Sequence, residues 1–276
     1  MPRTIMLPLL IAVLFVLFPF LSFAAESDWE AFVEVKDKYY YLDKQPFNEI
    51  SCAIDVPLMR NVIKQMNDQL APVKENVEIK EDLSRFRLTF RPETGLHYSD
   101  PEFDVHVKSM EGVADPERAK EGICMMKMGF KQQVVGVKNI INGLFDDFQY
   151  PKKNKYNDLS VTKGKDSVTV EYTRENRKSI EKYSGTTLEI VQSGDNDKIE
   201  SSQKYIQVAG GKLIFKEGTA AILQSTGSME IDISVDYQEL ESIIFPKHIN
   251  TRFQQTIQSI SQSGNIDVNL VQCTLK

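Results

Sequence analysis

Chemistry in this chain would have to come from few side chains. His97, His106 and His248 are its three histidines. His97 falls in a loop, His106 on the polar face of an alternating strand, and His248 just after Pro246-Lys247. None has a partner at the H-x-x-x-H or H-x-H spacing that turns two imidazoles toward one metal ion. Each therefore reads as a solvated or locally hydrogen-bonded histidine. Cys52, Cys124 and Cys273 lack the C-x-x-C spacing of redox and zinc sites. One disulfide with one free thiol, or three small buried apolar side chains, would both suit them, and sequence spacing chooses no pairing.

The acidic pairs Asp146-Asp147 and Glu239/Glu241 match the two carboxylates of glycoside hydrolysis in type only. Their neighbours read as solvated, and that chemistry needs a fixed separation across a cleft. The G-x-S-x-G, G-x-G-x-x-G and phosphate-loop patterns do not occur in the chain. Gly210-Gly211 reads as a hairpin turn. No catalytic residue, metal ligand or cofactor is assigned, and a non-enzymatic protein is expected.

Export is legible at the N-terminus. Arg3 supplies a positive start, Ile5 to Leu21 is almost wholly apolar, and Pro19 interrupts that run before a small-x-small site at Ser22-Phe23-Ala24. Met1–Ala24 reads as a signal peptide, with an uncleaved anchor as the alternative because the apolar run is long. No cysteine follows the run, so the acylated start of a bacterial lipoprotein is not expected. No Asn-x-Ser/Thr sequon occurs, which favours a bacterial periplasm over a eukaryotic secretory route. Cleavage would leave residues 25–276, enough for the single domain expected here. It removes only Arg3 among the charged residues, so 33 basic and 39 acidic residues become 32 and 39. A mildly acidic chain without a basic stripe argues against nucleic acid as a partner and against charge-driven adhesion to anionic lipid.

The elements that would position a site are organised around the stretch Asp115 to Phe148. Asp115 suits an N-cap, Pro116 the first helical position, and Glu117 the positive end of the dipole. Ile123, Met126, Phe130, Val134, Val137, Ile141, Leu144 and Phe148 recur at spacings of three and four, one apolar stripe on a long helix. Gly122, Gly129, Gly136 and Gly143 stand seven apart beside it, each costing about 1 kcal/mol against alanine in a helix interior. Close backbone packing or a break into two helical segments would explain that row. So would a groove wall kept shallow for a long apolar ligand, with Met125, Met126 and Met128 alongside. Lys127, Lys131 and Lys138 interrupt the run, which excludes a membrane span.

Before this helix the pattern predicts a short helix over Trp29, Phe32, Val33, Lys36 and Tyr40, then a strand from Phe47 to Val56. A second helix follows, with Leu58, Val62, Met66 and Leu70 inward and Ile63 widening the stripe. Two strands come next: Phe86, Leu88 and Phe90, then Phe103, Val105 and Val107, separated by a turn at Arg91–Gly95. From Leu159 onward the chain alternates almost continuously. The longest alternation is Met229, Ile231, Ile233, Val235 and Tyr237, and glycine turns separate the runs at short intervals. Short connections require antiparallel neighbours. The expected fold is α+β: a curved antiparallel sheet, or half-barrel, with helices covering its concave face. A closed barrel or a helix-flanked sandwich is the alternative.

This order resembles the LolA/LolB superfamily of periplasmic lipoprotein carriers and related lipid-binding proteins. The local likeness is Ile233-Ser234-Val235-Asp236-Tyr237-Gln238-Glu239, then Ile243-Ile244-Phe245-Pro246-Lys247-His248-Ile249, then Ile266-Asp267-Val268-Asn269-Leu270. The resemblance implies a hydrophobic cavity between sheet and helices that shields acyl chains, each buried methylene being worth about 0.8 kcal/mol. The walls expected for it are Phe86, Leu88 and Phe90, Met126, Phe130 and Val134, and Met229, Ile231, Ile233, Val235 and Tyr237; ordinary core packing of the same residues is the competing reading. The expected partner is a lipid or acylated protein cargo, and the expected location the periplasm. The alternative is a protein-binding module, an envelope-stress sensor or assembly factor, using the polar strand Thr251 to Gln262 as an edge for strand addition.

Overall fold

The computed structural model of the protein describes residues 26–258 and 260–276. Met1–Ala24, the expected signal peptide, lies outside the described residues. The chain runs as α1 (Glu26–Lys36), β1 (Ile50–Asp55), α2 (Pro57–Leu70), β2 (Val77–Asp82), β3 (Arg87–Arg91), β4 (Gly95–Ser99), β5 (Glu102–Val107) and α3 (Pro116–Asp146). Nine strands follow: β6 (Asn157–Lys163), β7 (Val168–Arg174), β8 (Arg177–Ser184), β9 (Thr187–Ser193), β10 (Asp197–Gln207), β11 (Leu213–Gln224), β12 (Gly227–Leu240), β13 (Ile243–Ile257) and β14 (Ile260–Leu275).

The main sheet is antiparallel, open and twelve strands wide, in the order β4-β3-β1-β14-β13-β12-β11-β10-β9-β8-β7-β6. From β6 to β14 it is a meander in which each strand pairs with the next through a short turn, as close spacing of apolar runs requires. Its width comes from β1, which returns to the end of the meander and pairs with β14, Ile50 opposite Leu275 and Ile54 opposite Leu270. β3 then adds to β1, and β4 to β3. The Cys52–Cys273 disulfide fastens the β1–β14 joint across 221 residues of sequence, and Cys124 is a free, exposed thiol. No helix among the described residues is long and apolar enough to cross a membrane.

The structure confirms α3 and its N-terminal end and corrects its C-terminal end. Asp115 caps it, its carboxylate accepting from the Arg118 amide at 3.1 Å, and the helix ends at Asp146 with Asp147 as C-cap. Ile123, Phe130, Val134, Val137, Ile141 and Leu144 are buried as the spacing predicts, joined by Phe145, which the spacing did not mark. The helix is continuous. A Cβ added at Gly122, Gly129, Gly136 or Gly143 would meet nothing within 4 Å, so neither close packing nor a break accounts for the glycine row.

Other expectations shift in register. α1 stops at Lys36 and buries Phe32 and Val35, while Tyr40 leaves the helix and its amide bonds to the Leu213 carbonyl. α2 faces the core with Met59, Ile63, Met66 and Leu70, and Leu58 is exposed. The two strands expected to be partners are not neighbours. β3 pairs with β4, and β5 pairs with β2 in a separate two-stranded ribbon. β2 and β4 were missed because Val77-Glu78-Ile79-Lys80-Glu81-Asp82 and Gly95-Leu96-His97-Tyr98-Ser99 carry too few apolar residues to alternate clearly. Thr251–Ile257 lies inside β13, paired on both sides by β12 and β14. That part of the expected Thr251–Gln262 edge is therefore not available for strand addition, whereas Ile260–Gln262, at the start of β14, pairs with β13 alone.

The largest core joins α2 and α3 to β1, β3 and the near halves of β11–β14. Phe145 packs against Phe90 of β3 and Phe245 of β13, with ring centroids 5.6 and 5.5 Å apart. A second core collects Phe32, Val35, Tyr39 and Tyr41 against β6–β9.

Two outcomes are expected. Cys52→Ala with Cys273→Ala should cost about 2–5 kcal/mol, because the cross-link closes most of the chain into one loop. Denaturant unfolding with and without reductant reads this, and an unchanged midpoint would count against it. Gly129→Ala and Gly136→Ala should each stabilise by about 0.5–1 kcal/mol, since helix propensity improves where no neighbour resists a methyl group. Lower thermal midpoints would show that something covers the row.

Candidate functional site: a tyrosine-lined recess and an uncovered apolar face

Where α1 ends, the chain passes through Tyr39, Tyr40 and Tyr41 before the turn at Leu42–Lys44. Leu42 donates its amide to the carbonyl of Phe148, two residues beyond α3, at 3.0 Å. That contact brings the C-terminal end of α3 onto the same spot as the tyrosines. β7, β8 and β10 add Tyr172, Glu181, Tyr183 and Tyr205 from below. The result is a small cavity of about 100 Å³ whose lining includes Lys36, Tyr41, Asp147, Tyr156, Glu181 and Tyr205. Space for one water needs roughly 10–15 Å³ on this measure, so the recess admits a small molecule.

Glu181 is the chemical centre of the recess floor, 6% exposed. It accepts from the Tyr172 hydroxyl at 2.6 Å, from the Lys36 ammonium at 3.1 Å, and from the Tyr183 hydroxyl. Burial disfavours its charge, but the Lys36 cation and the two tyrosine donors outweigh that cost and hold its carboxyl below the usual range. The same geometry raises the tyrosines: burial first, and then the Glu181 charge, push Tyr172 and Tyr183 well up, and Tyr156 to about 12. All of them are neutral donors at neutral pH. The Lys36 ammonium also stands 5.2 Å from the Phe32 ring and 5.0 Å from the Tyr183 ring.

Asp147 behaves in the opposite sense. Asp147 is an exposed residue that also lines the recess. Desolvation by the walls is the main cause that lifts its carboxyl to about 7. The Glu181 and Asp146 charges add to it, and Lys36 and Arg174 oppose it. Asp146 and Asp147 are both exposed, and both border the recess.

The histidines are local, as expected. His97 bonds Thr94 at 2.8 Å, His106 bonds Asp104 at 2.9 Å, and His248 lies between Asp267 at 3.1 Å and Asp236 at 3.5 Å. Among the described residues no three His, Cys, Asp or Glu side chains group to hold a metal ion.

The expected lipid walls divide into two sets. Phe86, Leu88, Phe90, Phe130, Val134 and Val235 are buried in the main core, with Met126, Ile233 and Tyr237 packed against it. Met229 and Ile231 lie farther along β12, half-exposed and outside all three buried clusters. They belong to a second feature. Ile190 of the recess wall pairs with Ser201, Ser201 with Ala220, Ala220 with Ile231, and Ile231 with Phe253, one cross-strand row on the helix-bearing face. Ile199, Ile222 and Met229 form the next row outward, which ends on Gln255; one row farther out Ile257 and Ile260, 44% and 65% exposed, pair with each other. The Phe253 ring lies over Gly264, where a Cβ would come within 2.6 Å of it. Larger hollows of about 430 and 640 Å³ lie along the same strands, the second lined in part by Ile190, Ser201, Ala220 and Ile231. They are open grooves whose charges partly pair with one another, as Lys204 does with Glu217 at 2.8 Å.

No family model, curated protein or solved structure matches the chain.

Sequence reading missed the recess residues Lys36, Tyr41, Asp147, Tyr172, Glu181 and Tyr205. Two signals pointed there: the Tyr39-Tyr40-Tyr41 run, and an acidic pair at a helix C-terminus, where the dipole disfavours negative charge.

Glu181→Gln should destabilise by about 3–5 kcal/mol by leaving the Lys36 ammonium buried without its counter-ion. Restored stability in Lys36→Met/Glu181→Gln would identify the stranded charge as the cause. The pH dependence has a definite sign. The raised Asp147 pKa means that the folded state holds a proton the unfolded chain has lost between about pH 4 and 7, so this group's contribution to stability falls as pH rises. Glu181, with a lowered pKa, contributes stability above the ordinary carboxylate range and loses it on acidification. Asp147→Asn should match wild type near pH 4 and melt higher at pH 8; equal differences at both pH values would refute the assignment.

Proposed function

We propose that the protein is an exported, non-enzymatic carrier or chaperone. It would hold a lipid or lipidated protein against its sheet and hand it on in the periplasm, in the manner of LolA/LolB-like carriers. The observation that carries this reading is the row Ile190–Ser201–Ala220–Ile231–Phe253, apolar except for Ser201, with Ile199, Ile222 and Met229 beside it; all are half-exposed, and all but Ile190, which packs against the second core, lie outside the buried clusters. From β9 to β13 such a row crosses four strand intervals, about 19 Å at normal spacing. Contiguous apolar surface of this kind marks a place where something apolar binds, and each methylene removed from water there contributes about 0.8 kcal/mol.

On this reading the cargo surface is the far half of the sheet, centred on Ile231. Phe86, Leu88, Phe90, Phe130, Val134 and Val235 would join it only if α3 moved away. We also infer that the sheet curls around α3 as a half-barrel with the helices on its concave side. What supports the curl is Phe145: rings from β3 and β13 both lie within 5.6 Å of it. Three intervals of a flat sheet would separate those strands by about 14 Å. Export itself rests on the Met1–Ala24 sequence.

The alternative, a protein-binding module built on strand addition, has open edges at β4 and β6, on the β2–β5 ribbon, and along Ile260–Val268 of β14, which β1 does not reach. β4 has five residues, and the Val161 amide of β6 is occupied by the Asp28 carboxylate at 3.2 Å. Short or covered edges resist such pairing.

Ile231→Asp and Phe253→Asp should each weaken uptake of a fluorescent fatty acid by about tenfold or more while leaving the thermal midpoint near wild type. Glu230→Gln, on the opposite face, should leave uptake unchanged. Native mass spectrometry of the purified protein should show excess mass matching an extracted lipid. Undiminished uptake in both Asp variants, or no uptake by wild type, would remove the basis for the carrier reading.

A further inference from the structure

The recess at the end of α3 contains a charge that the fold itself does not use. Glu181 is committed to Lys36, Tyr172 and Tyr183. Asp147 makes no side-chain hydrogen bond or ion pair with another described residue, although it lines the same cavity. It also stands where a helix least tolerates it. α3 is 31 residues long with no basic residue in its last turn, and its aligned peptides already put negative potential at that end. A local choice that opposes the helix and makes no direct contact within the chain, favoured only from a distance by the Lys36 and Arg174 charges, leaves a place for a closer partner.

The walls say what kind of partner. Tyr39 meets Tyr205 edge-on at 4.8 Å and 81°, and Tyr156 meets Tyr172 edge-on at 4.8 Å and 72°. Near-perpendicular rings surround the cavity with both edges and faces, and aromatic faces attract cations. Three carboxylates, Asp146, Asp147 and Glu181, line the recess against two cations, Lys36 and Arg174, a balance that favours a cation over an anion. A metal ion would need a convergent set of ligands, and no such cluster occurs among the described residues. A space of about 100 Å³ is larger than a bare ion requires and smaller than an acyl chain.

We propose that this recess binds an alkylammonium group, its charge against the Asp147 carboxylate and its carbon atoms against the rings of Tyr41, Tyr156 and Tyr205. The group could belong to a free small amine or to an amine-bearing lipid headgroup, since the recess wall at Ile190 continues into the apolar row. Binding requires ionised Asp147, so apparent affinity rises with pH between about pH 5 and 8. The other charged groups lining the recess are Lys36, Arg174, Asp146 and Glu181, and its tyrosines are Tyr39, Tyr40, Tyr41, Tyr156, Tyr172 and Tyr205.

Trp29, the single tryptophan, reports on the site because its ring lies 6.1 Å from that of Tyr156. The test is a titration of its emission with tetramethylammonium chloride and with methylammonium chloride, against sodium chloride at matched ionic strength. The expected result is a saturable change with the organic cations that sodium does not produce. Asp147→Asn, checked for folding by its thermal midpoint, should weaken it about tenfold or more. An identical response to sodium, or an undiminished response in Asp147→Asn, would overturn the proposal. A short-chain choline phospholipid forms the second arm. Tighter binding than tetramethylammonium, lost in Ile231→Asp, identifies a lipid headgroup as the source. Equal binding, untouched by Ile231→Asp, identifies a free amine and leaves the carrier reading without this support.

Discussion

A wide sheet has an apolar face that must be covered, and this chain has too little helix to cover it. Twelve strands at normal spacing span about 53 Å from first to last, and β14 alone, with 16 residues, extends roughly 54 Å. Against that area stand one 31-residue helix, about 46 Å long, and two helices of 11 and 14 residues. α3 lies where it can bury most, over β1, β3 and the near halves of β11–β14, and Phe145 ties the two sides together. The far halves of β10–β14 are left with half-exposed isoleucines. The uncovered face is a consequence of the same constraint that builds the core.

The joint between β1 and β14 makes this arrangement possible. Without it the meander would end at β14 with an open edge of sixteen residues, and long open edges invite pairing with other chains. β1 closes part of that edge, and the Cys52–Cys273 disulfide holds the joint. The ends of the sheet become β4 and β6. β4 is short, and α1 packs beside β6, lending it the Asp28 carboxylate.

The recess obeys a different rule, that buried charge must be matched. Lys36, Tyr172 and Tyr183 satisfy Glu181 completely enough to keep it ionised inside the protein. Such pairs add little net stability against an apolar replacement, but breaking one strands its partner. The second core therefore depends on a network that cannot lose single members. Asp147 is the exception within it, a carboxylate lifted to about 7 where the others are fixed.

The sequence by itself determined the periodic elements. The Ile123–Leu144 stripe and the Asp115-Pro116 cap gave α3. The alternation at Met229–Val235 gave β12, and the glycine-bounded runs gave the antiparallel meander. Those features are local, because side-chain direction follows the backbone period within one element. Tertiary structure decided what depends on pairing between distant segments. β1 adds to β14 across more than two hundred residues, β3 takes β4 and not β5, and Thr251–Ile257 lies between two strands instead of at an edge. No local period specifies a partner strand. The recess is the extreme case: Tyr41, Asp147, Glu181 and Tyr205 come from four separate stretches, each unremarkable in its own surroundings. Their shared chemistry exists only after α3 docks its C-terminal end against β7–β10, since charge and burial interact through space and not along the chain.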